Sequence, residues 1–318
     1  MKTEVIKLIE NRDDVTLTAF VWKDSPELMA GMKRPAVIIC PGGAYFNCSD
    51  REATPVALAF AAMGYHAFVL RYSVYGGNVF DTGFQNITVK TECQYPRPMQ
   101  DIGRAILYIR DHAEQWNVDC QKIAICGFSA GAHNCAMYAN NWAKPVMTEH
   151  FGRPAEDFRP AACILGYPLT DYVYAGVNHS LNPMDAAFHA ASTTAYLGEH
   201  RNDPHYLTEV SPCRNVNENT PPTYIWATAA DALVPVQHFL FMAQGLADQK
   251  IPFELHIFED GPHGLSTSTQ ASAPSKSMIF PDAAKWVPMV DCWLQKRFAL
   301  PLPALAPFEE FLVNGSPS

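Results

Sequence analysis

Three side chains able to perform acyl-transfer chemistry stand in the order serine, aspartate, histidine. Ser129 is the middle residue of Gly127-Phe128-Ser129-Ala130-Gly131, a G-x-S-x-G pentapeptide that follows the apolar run Ile123-Ala124-Ile125-Cys126 and opens a helical segment over 130–140. A serine aimed into a site must sit on a turn so tight that its own backbone is strained, and flanking glycines let the adjoining strand and helix pack against that turn. The pentapeptide alone is a weak signal, and the strand before it and helix after it give it meaning. A hydroxyl at its ordinary pKa is a poor nucleophile, so the reading requires a histidine base and a carboxylate to orient it. Asp231 follows the apolar run Tyr224-Ile225-Trp226-Ala227, and His263 lies in the turn-rich stretch Asp260-Gly261-Pro262-His263-Gly264 after the run 253–258. Both therefore fall in loops at the C-terminal ends of expected strands, where α/β sheets keep their sites.

Other titratable residues fit structural positions better. His133 lies one helical turn beyond Ser129, His256 alternates with apolar neighbours in a strand, and His112 closes a helix. Asp260 and Glu259 share the loop of His263, and a carboxylate so close in sequence rarely reaches back to Nδ1, so Asp231 is the expected partner. Asp203, in Asn202-Asp203-Pro204, reads as a turn.

Attack on an ester carbonyl places negative charge on oxygen, which preorganised backbone N–H groups stabilise by about 3 kcal/mol per donor. One donor is expected from Ala130, immediately after the serine. Others are expected from Gly43 and Ala44, in Pro41-Gly42-Gly43-Ala44-Tyr45 after the run Val37-Ile38-Ile39-Cys40, because glycines let the backbone approach a substrate with its N–H groups exposed. Tyr45 and Phe46, just past this loop, are candidate pocket-lining residues.

The elements that must carry these groups alternate. Residues 4–9 and 15–21 pattern as two antiparallel strands joined by a turn over 11–14. Short β-type runs at 37–40, 67–70, 123–126, 162–165, 224–227 and 253–258 are then separated by helical stretches near 55–63, 99–112, 130–140, 236–249 and 283–298. This is the signature of a largely parallel sheet with crossover helices. The first helix is expected to open with Thr54 as N-cap and Pro55 at N1. Two long stretches interrupt the alternation, 76–98 as a pocket wall and 171–210 as a small cap over the site.

Composition narrows the class. The chain of 318 residues has 48% apolar residues and no linker, repeat or low-complexity segment, which suits a single domain over 1–318. Its formal net charge of −9 argues against nucleic acid or an anionic membrane surface as partner. The N-terminal residues lack the apolar core of a secretory signal, and no apolar stretch reaches membrane-spanning length, so a cytoplasmic location is expected. The 9 cysteines include no Cys-x-x-Cys pair, and Cys40, Cys126, Cys135 and Cys163 fall in core elements, which predicts reduced thiols rather than a disulfide framework. Neither a metal nor an organic cofactor is called for. The expected partner is a small-molecule ester, and a homo-oligomer is compatible with every feature read so far.

The chain resembles the α/β-hydrolase esterases of the hormone-sensitive-lipase-like group, and within them the bacterial acetylesterase and acetylxylan or feruloyl esterase branch. The likeness runs from about residue 35 to 265 and rests on Pro41-Gly42-Gly43-Ala44-Tyr45, Ser49-Asp50-Arg51-Glu52, Gly64-Tyr65-His66-Ala67-Phe68-Val69-Leu70-Arg71-Tyr72-Ser73, Gly127-Phe128-Ser129-Ala130-Gly131 and Gly261-Pro262-His263-Gly264. The resemblance implies an α/β-hydrolase fold: a mostly parallel central sheet, helices on both faces, and a cap insertion. It also implies a serine carboxylesterase acting on short acyl groups, with acetylated sugars or xylo-oligosaccharides among its substrates. Pro41 stands where the wider group has a loop histidine, and Ala44 where the last loop glycine usually stands, which keeps an N–H donor but adds a methyl group. An arylformamidase-type amidase or a serine exopeptidase would use the same three side chains. A non-catalytic homologue would be expected to lack one of them.

Overall fold

The computed structural model of the protein describes residues 1–77, 79, 81–85, 87–177 and 182–314. Of the expected pocket wall, residues 78, 80 and 86 lie outside the described residues, as do 178–181 of the expected cap and 315–318 of the expected domain.

The described residues form one eight-stranded sheet from β1 (Lys2–Ile9), β2 (Arg12–Val21), β3 (Arg34–Cys40), β4 (His66–Arg71), β5 (Val118–Phe128), β6 (Ala162–Gly166), β7 (Thr223–Thr228) and β8 (Phe253–Phe258), in the order β1-β2-β4-β3-β5-β6-β7-β8. The first two strands form an antiparallel hairpin joined to β4 antiparallel, and every pairing from β4 onwards is parallel. The hairpin turn is tighter than the 11–14 expected, because pairing continues to Ile9 and Arg12.

The apolar runs of β3, β5, β6 and β7 are covered on both faces. Residues 35–40, 123–128, 162–166 and 223–228 are all buried, which explains why these strands read as continuous apolar stretches rather than alternating ones. The edge strand β8 is half-buried along its length. The long crossover helices Thr54–Ala62, Arg97–Asp111, Ala130–Asn141, Gln237–Asp248 and Trp286–Phe298 match the expected positions within three residues at each end.

Two local expectations are corrected. Thr54 is the first helical residue rather than the N-cap; Ala53 stands at the cap with no side-chain hydrogen bond. The helix is entered through the 3-10 turn Asp50–Glu52, with the Ala53 N–H bonded to the Asp50 carbonyl, so no hydroxyl cap is needed. Asp203 does not merely turn the chain. Its carboxylate accepts from the His205 N–H and caps the helix Pro204–Glu209.

Among the described residues, the stretch 171–210 contributes three α-helices, Tyr172–Val177, Pro183–Leu197 and Pro204–Glu209, and the 3-10 helix Gly198–Asn202. It is pinned at its base: both oxygens of buried Asp171 accept from Arg214 Nε, at 2.9 and 3.0 Å, and the Tyr172 N–H donates to Ser211 Oγ at 2.8 Å. All nine cysteines are free thiols. Among the described residues, no helix is long and apolar enough to cross a membrane.

Candidate active site

The connection from β5 to the helix Ala130–Asn141 is a single strained residue. Ser129 has φ 51° and ψ −120°, a conformation that side chains avoid and that costs about 1–3 kcal/mol. The surroundings hold it there. The Ser129 N–H donates to the Gly166 carbonyl of β6 at 2.9 Å, and the Ser129 carbonyl accepts from the His133 N–H, also at 2.9 Å. A methyl group at Gly131 would run into the carbonyl oxygens of Cys40 and Pro41, and one at Gly127 into the backbone of Gly131. Strand, helix and the loop after β3 thus meet at backbone distance, and only glycine fits.

Ser129 Oγ lies 2.7 Å from His263 Nε2, and His263 Nδ1 lies 2.7 Å from Asp231 Oδ2. The other carboxylate oxygen, Oδ1, accepts from the N–H groups of Leu233 and Val234 at 3.0 and 2.9 Å, so the Asp231 side chain is fixed at both ends. Asp231 is buried and His263 is 13% exposed at its side chain. Burial pulls the imidazole pKa down, but the charge and hydrogen bond of Asp231, with the charge of Glu52, outweigh it and leave it above the ordinary 6.5. The three side chains come from loops after β5, β7 and β8, all at the carboxyl edge of the sheet.

The loop after β3 coils beside Ser129. Gly43 has φ 132°, followed by Ala44 at 53° and Tyr45 at 60°. Ala44 therefore occupies a left-handed position that glycine fills more cheaply, and the loop is held by Phe46 and Asn47 N–H groups bonding back to the Gly43 carbonyl. The Gly42 N–H is already taken by Glu52 Oε2 at 2.7 Å. Among the described residues no backbone carbonyl outside the regular elements accepts from the N–H groups of Gly43, Ala44 and Ala130, the three donors expected for an anionic oxygen.

The expected pocket-lining roles of Tyr45 and Phe46 do not fit their positions. Tyr45 is 1% exposed; its hydroxyl donates to His133 Nδ1 at 2.5 Å and its ring stacks on Tyr196 at 4.1 Å. Phe46 is fully covered and packs on Phe84 and Phe188. Large rings after a glycine loop find more apolar contact inward than a solvent-facing pocket offers. The imidazoles of the other three histidines weighed in the sequence make structural contacts instead. Buried His133 donates from Nε2 to the Val210 carbonyl at 2.8 Å, and burial pulls its pKa down to about 4. His112 bonds the Tyr108 carbonyl, and His256 lies beside Glu254. Glu259 and Asp260 are exposed.

Sequence reasoning missed Glu52 and Tyr167. Glu52 Oε1 accepts from the Tyr167 hydroxyl at 2.6 Å, and the Tyr167 ring stands edge-on to the His263 imidazole with centroids 5.0 Å apart. The signal was the Ser49-Asp50-Arg51-Glu52 stretch, where an acidic side chain directly precedes a buried apolar helix.

Comparison with known proteins follows the same lines. The model of the BD-FAE family matches residues 26–246. An endo-1,4-beta-xylanase B of Butyrivibrio fibrisolvens is 33% identical over 243 residues, which cover 74% of this chain but only 33% of that protein, so the chain spans about a third of its length. The crystal structure of carboxylesterase Cest-2923 from Lactobacillus plantarum superposes with a TM-score of 0.77 at 27% identity, covering 95% of this chain and 100% of the other. An acetyl ester-xyloside bifunctional hydrolase from Caldicellulosiruptor lactoaceticus superposes with a TM-score of 0.70 at 27% identity, covering 92% and 96%. The fold is that of the α/β-hydrolases.

Proposed function

The chain belongs to the BD-FAE family, and from that premise and the geometry at Ser129 we propose that it is a serine carboxylesterase that cleaves acetyl-type esters through an acyl-enzyme. The observation that carries this reading is the unbroken line of two 2.7 Å hydrogen bonds from Ser129 through His263 to Asp231, with the serine on a strained turn. His263 Nε2 takes the Ser129 proton as Oγ attacks the ester carbonyl. Asp231 holds the imidazole in the tautomer that allows this and stabilises its charged form. The oxyanion is met by the N–H groups of Gly43, Ala44 and Ala130. His263 then returns the proton to the departing alcohol, and a water repeats the cycle to release the acid.

The acyl side supports a small group. Ala44 belongs to a buried cluster with Phe46, Val79, Ala191 and Ala195, backed by Phe84 and Phe188. Bulky side chains packed around Ala44 leave its loop little room to give way, which supports a short acyl group over an extended one. Each methylene that fits a pocket adds about 0.8 kcal/mol of apolar burial, so an open site would improve steadily from acetyl to octanoyl. Aryl esters of increasing chain length are expected to show the reverse, with acetyl or propionyl best and octanoyl poor. A higher kcat/KM for octanoyl would sink the acetylesterase reading while leaving the nucleophile assignment standing. The xylanase and acetyl ester-xyloside names of two relatives support acetylated xylo-oligosaccharides as the substrate class, and these belong in the same assay.

The base must be neutral to accept a proton, and His263 is held above 6.5 by its carboxylate neighbours. kcat/KM is therefore expected to rise with pH through an inflection on the alkaline side of an ordinary histidine and then level off. A profile with chemistry rate-limiting that is already level below that value would contradict a histidine base in this setting.

A further inference from the structure

We propose that Glu52 is a positioning residue for the esterase reaction: its buried carboxylate fixes the loop after β3 at Gly42 and, through Tyr167, steadies the imidazole of His263. This inference rests on the serine esterase reading above. Glu52 is 4% exposed, and both of its oxygens are committed, Oε2 to the Gly42 N–H at 2.7 Å and Oε1 to the Tyr167 hydroxyl at 2.6 Å. An ion so deeply buried costs several kcal/mol unless its partners compensate, so a carboxylate kept there is expected to have a task. Gly42 is squeezed between it and the nucleophile, since a methyl group at Gly42 would stand 2.8 Å from Glu52 Oε2 and 2.9 Å from Ser129 Cβ.

The same short turn grips the histidine loop. The Tyr167 hydroxyl accepts from the Ser266 N–H at 2.9 Å, Arg51 Nη2 donates to the Gly264 carbonyl at 2.8 Å, and Ser266 Oγ donates to the Arg51 carbonyl at 2.6 Å. Arg51 Nε also reaches the Ser272 carbonyl at 2.8 Å. Two adjacent residues thus set the oxyanion donors and the base relative to one another, across more than 200 residues of chain.

The groups facing His263 are Asp231 from the loop after β7, Glu52 and Arg51 from the turn Asp50–Glu52, Tyr167 after β6, and His189 from the helix Pro183–Leu197. Burial raises the Glu52 pKa, opposed by the hydrogen bonds from Tyr167 and Gly42 and by the charges of His263 and Arg51. Glu52 in turn raises that of His263. A carboxylate at Glu52 therefore favours the imidazolium that forms during turnover.

Two variants grade the loss. Glu52→Gln can still accept from Gly42 with its carbonyl oxygen, but carries no charge and turns an amide donor toward Tyr167, whose hydroxyl proton loses its acceptor; Glu52→Ala removes both contacts. Steady-state kinetics on an aryl acetate are expected to give a kcat loss of about 100-fold for Glu52→Ala, comparable to losing an oxyanion donor, and about 10-fold for Glu52→Gln, with KM within about threefold in each. In Glu52→Gln the acid inflection moves to lower pH. The His263 titration followed by NMR moves the same way, whether or not the protein turns over an ester, so an inactive wild type would overturn the esterase reading without touching this measurement. If Glu52→Ala does not fold, the isosteric Glu52→Gln decides. A folded Glu52→Gln with wild-type kcat and an unmoved His263 titration would overturn the proposal, as would a loss confined to KM.

Discussion

Ser129→Ala is expected to lower ester turnover by about four orders of magnitude or more, because the three side chains act as a unit and what remains is only the contribution of binding and oxyanion stabilisation. The fold should be untouched. The substitution removes one oxygen, keeps the N–H bond to the Gly166 carbonyl, and leaves the strain in place, since alanine at φ 51° is no easier than serine. Thermal denaturation beside steady-state kinetics on an aryl acetate checks both halves. A phosphonate or sulfonyl fluoride should label the wild type at Ser129 and leave Ser129→Ala unmarked, as read by mass spectrometry of the digested protein. A folded Ser129→Ala with undiminished turnover would end the serine-esterase reading.

Asp231→Asn should cost about as much, near 10⁴-fold in kcat, for a reason that concerns only protons. The Asp231 carboxylate accepts on both oxygens: from the N–H groups of Leu233 and Val234 on one side and from His263 Nδ1 on the other. In the asparagine, the two backbone donors keep the amide oxygen on their side and turn the NH₂ toward His263. Nδ1 must then accept rather than donate, so the ring proton moves to Nε2, where it blocks transfer from Ser129. Size and position are nearly unchanged, and a crystal structure or melting curve should look like wild type. A folded Asp231→Asn retaining more than about a tenth of wild-type kcat would mean that another group orients the imidazole.

The strands and the three side chains that the structure brings together at Ser129 were legible because each depends on local pattern. β3, β5, β6 and β7 are buried on both faces, so they appear as unbroken apolar runs, and the turn at Ser129 needs small residues at fixed offsets for purely steric reasons. The helices within 171–210 were not legible, although Asn182, whose side chain accepts from the Asp185 N–H at 2.9 Å, and Pro183 mark a helix start. The helix Pro183–Leu197 is alanine-rich and buries only Ala191, Ala195, Tyr196 and Leu197, all near one end, so it never develops an apolar stripe. Glu52 was illegible for a different reason. What makes a buried carboxylate tolerable is its partners, and the Tyr167 hydroxyl lies 115 positions away. Tyr45 and Phe46 misled because adjacency to a glycine loop says where a backbone runs, while the direction of a ring depends on Tyr196, Phe84 and Phe188, which no local pattern brings near.

The helix Pro183–Leu197 is tied to the loop after β3. Ser192 Oγ donates to the Ala44 carbonyl at 2.9 Å, and Ala191 and Ala195 pack in the same cluster as the Ala44 methyl group. The peptide that follows Ala44, next along the chain from the N–H proposed to meet the substrate, is therefore stitched to the stretch 171–210. For anyone reshaping substrate preference by grafting this segment from a relative, the segment and the loop after β3 are not separate modules: a transplanted segment lacking the hydroxyl and the two small residues is expected to loosen the loop at Ala44 as well. Grafts that carry the Ser192 contact with them are expected to retain turnover if selectivity changes, and those that omit it to lose turnover.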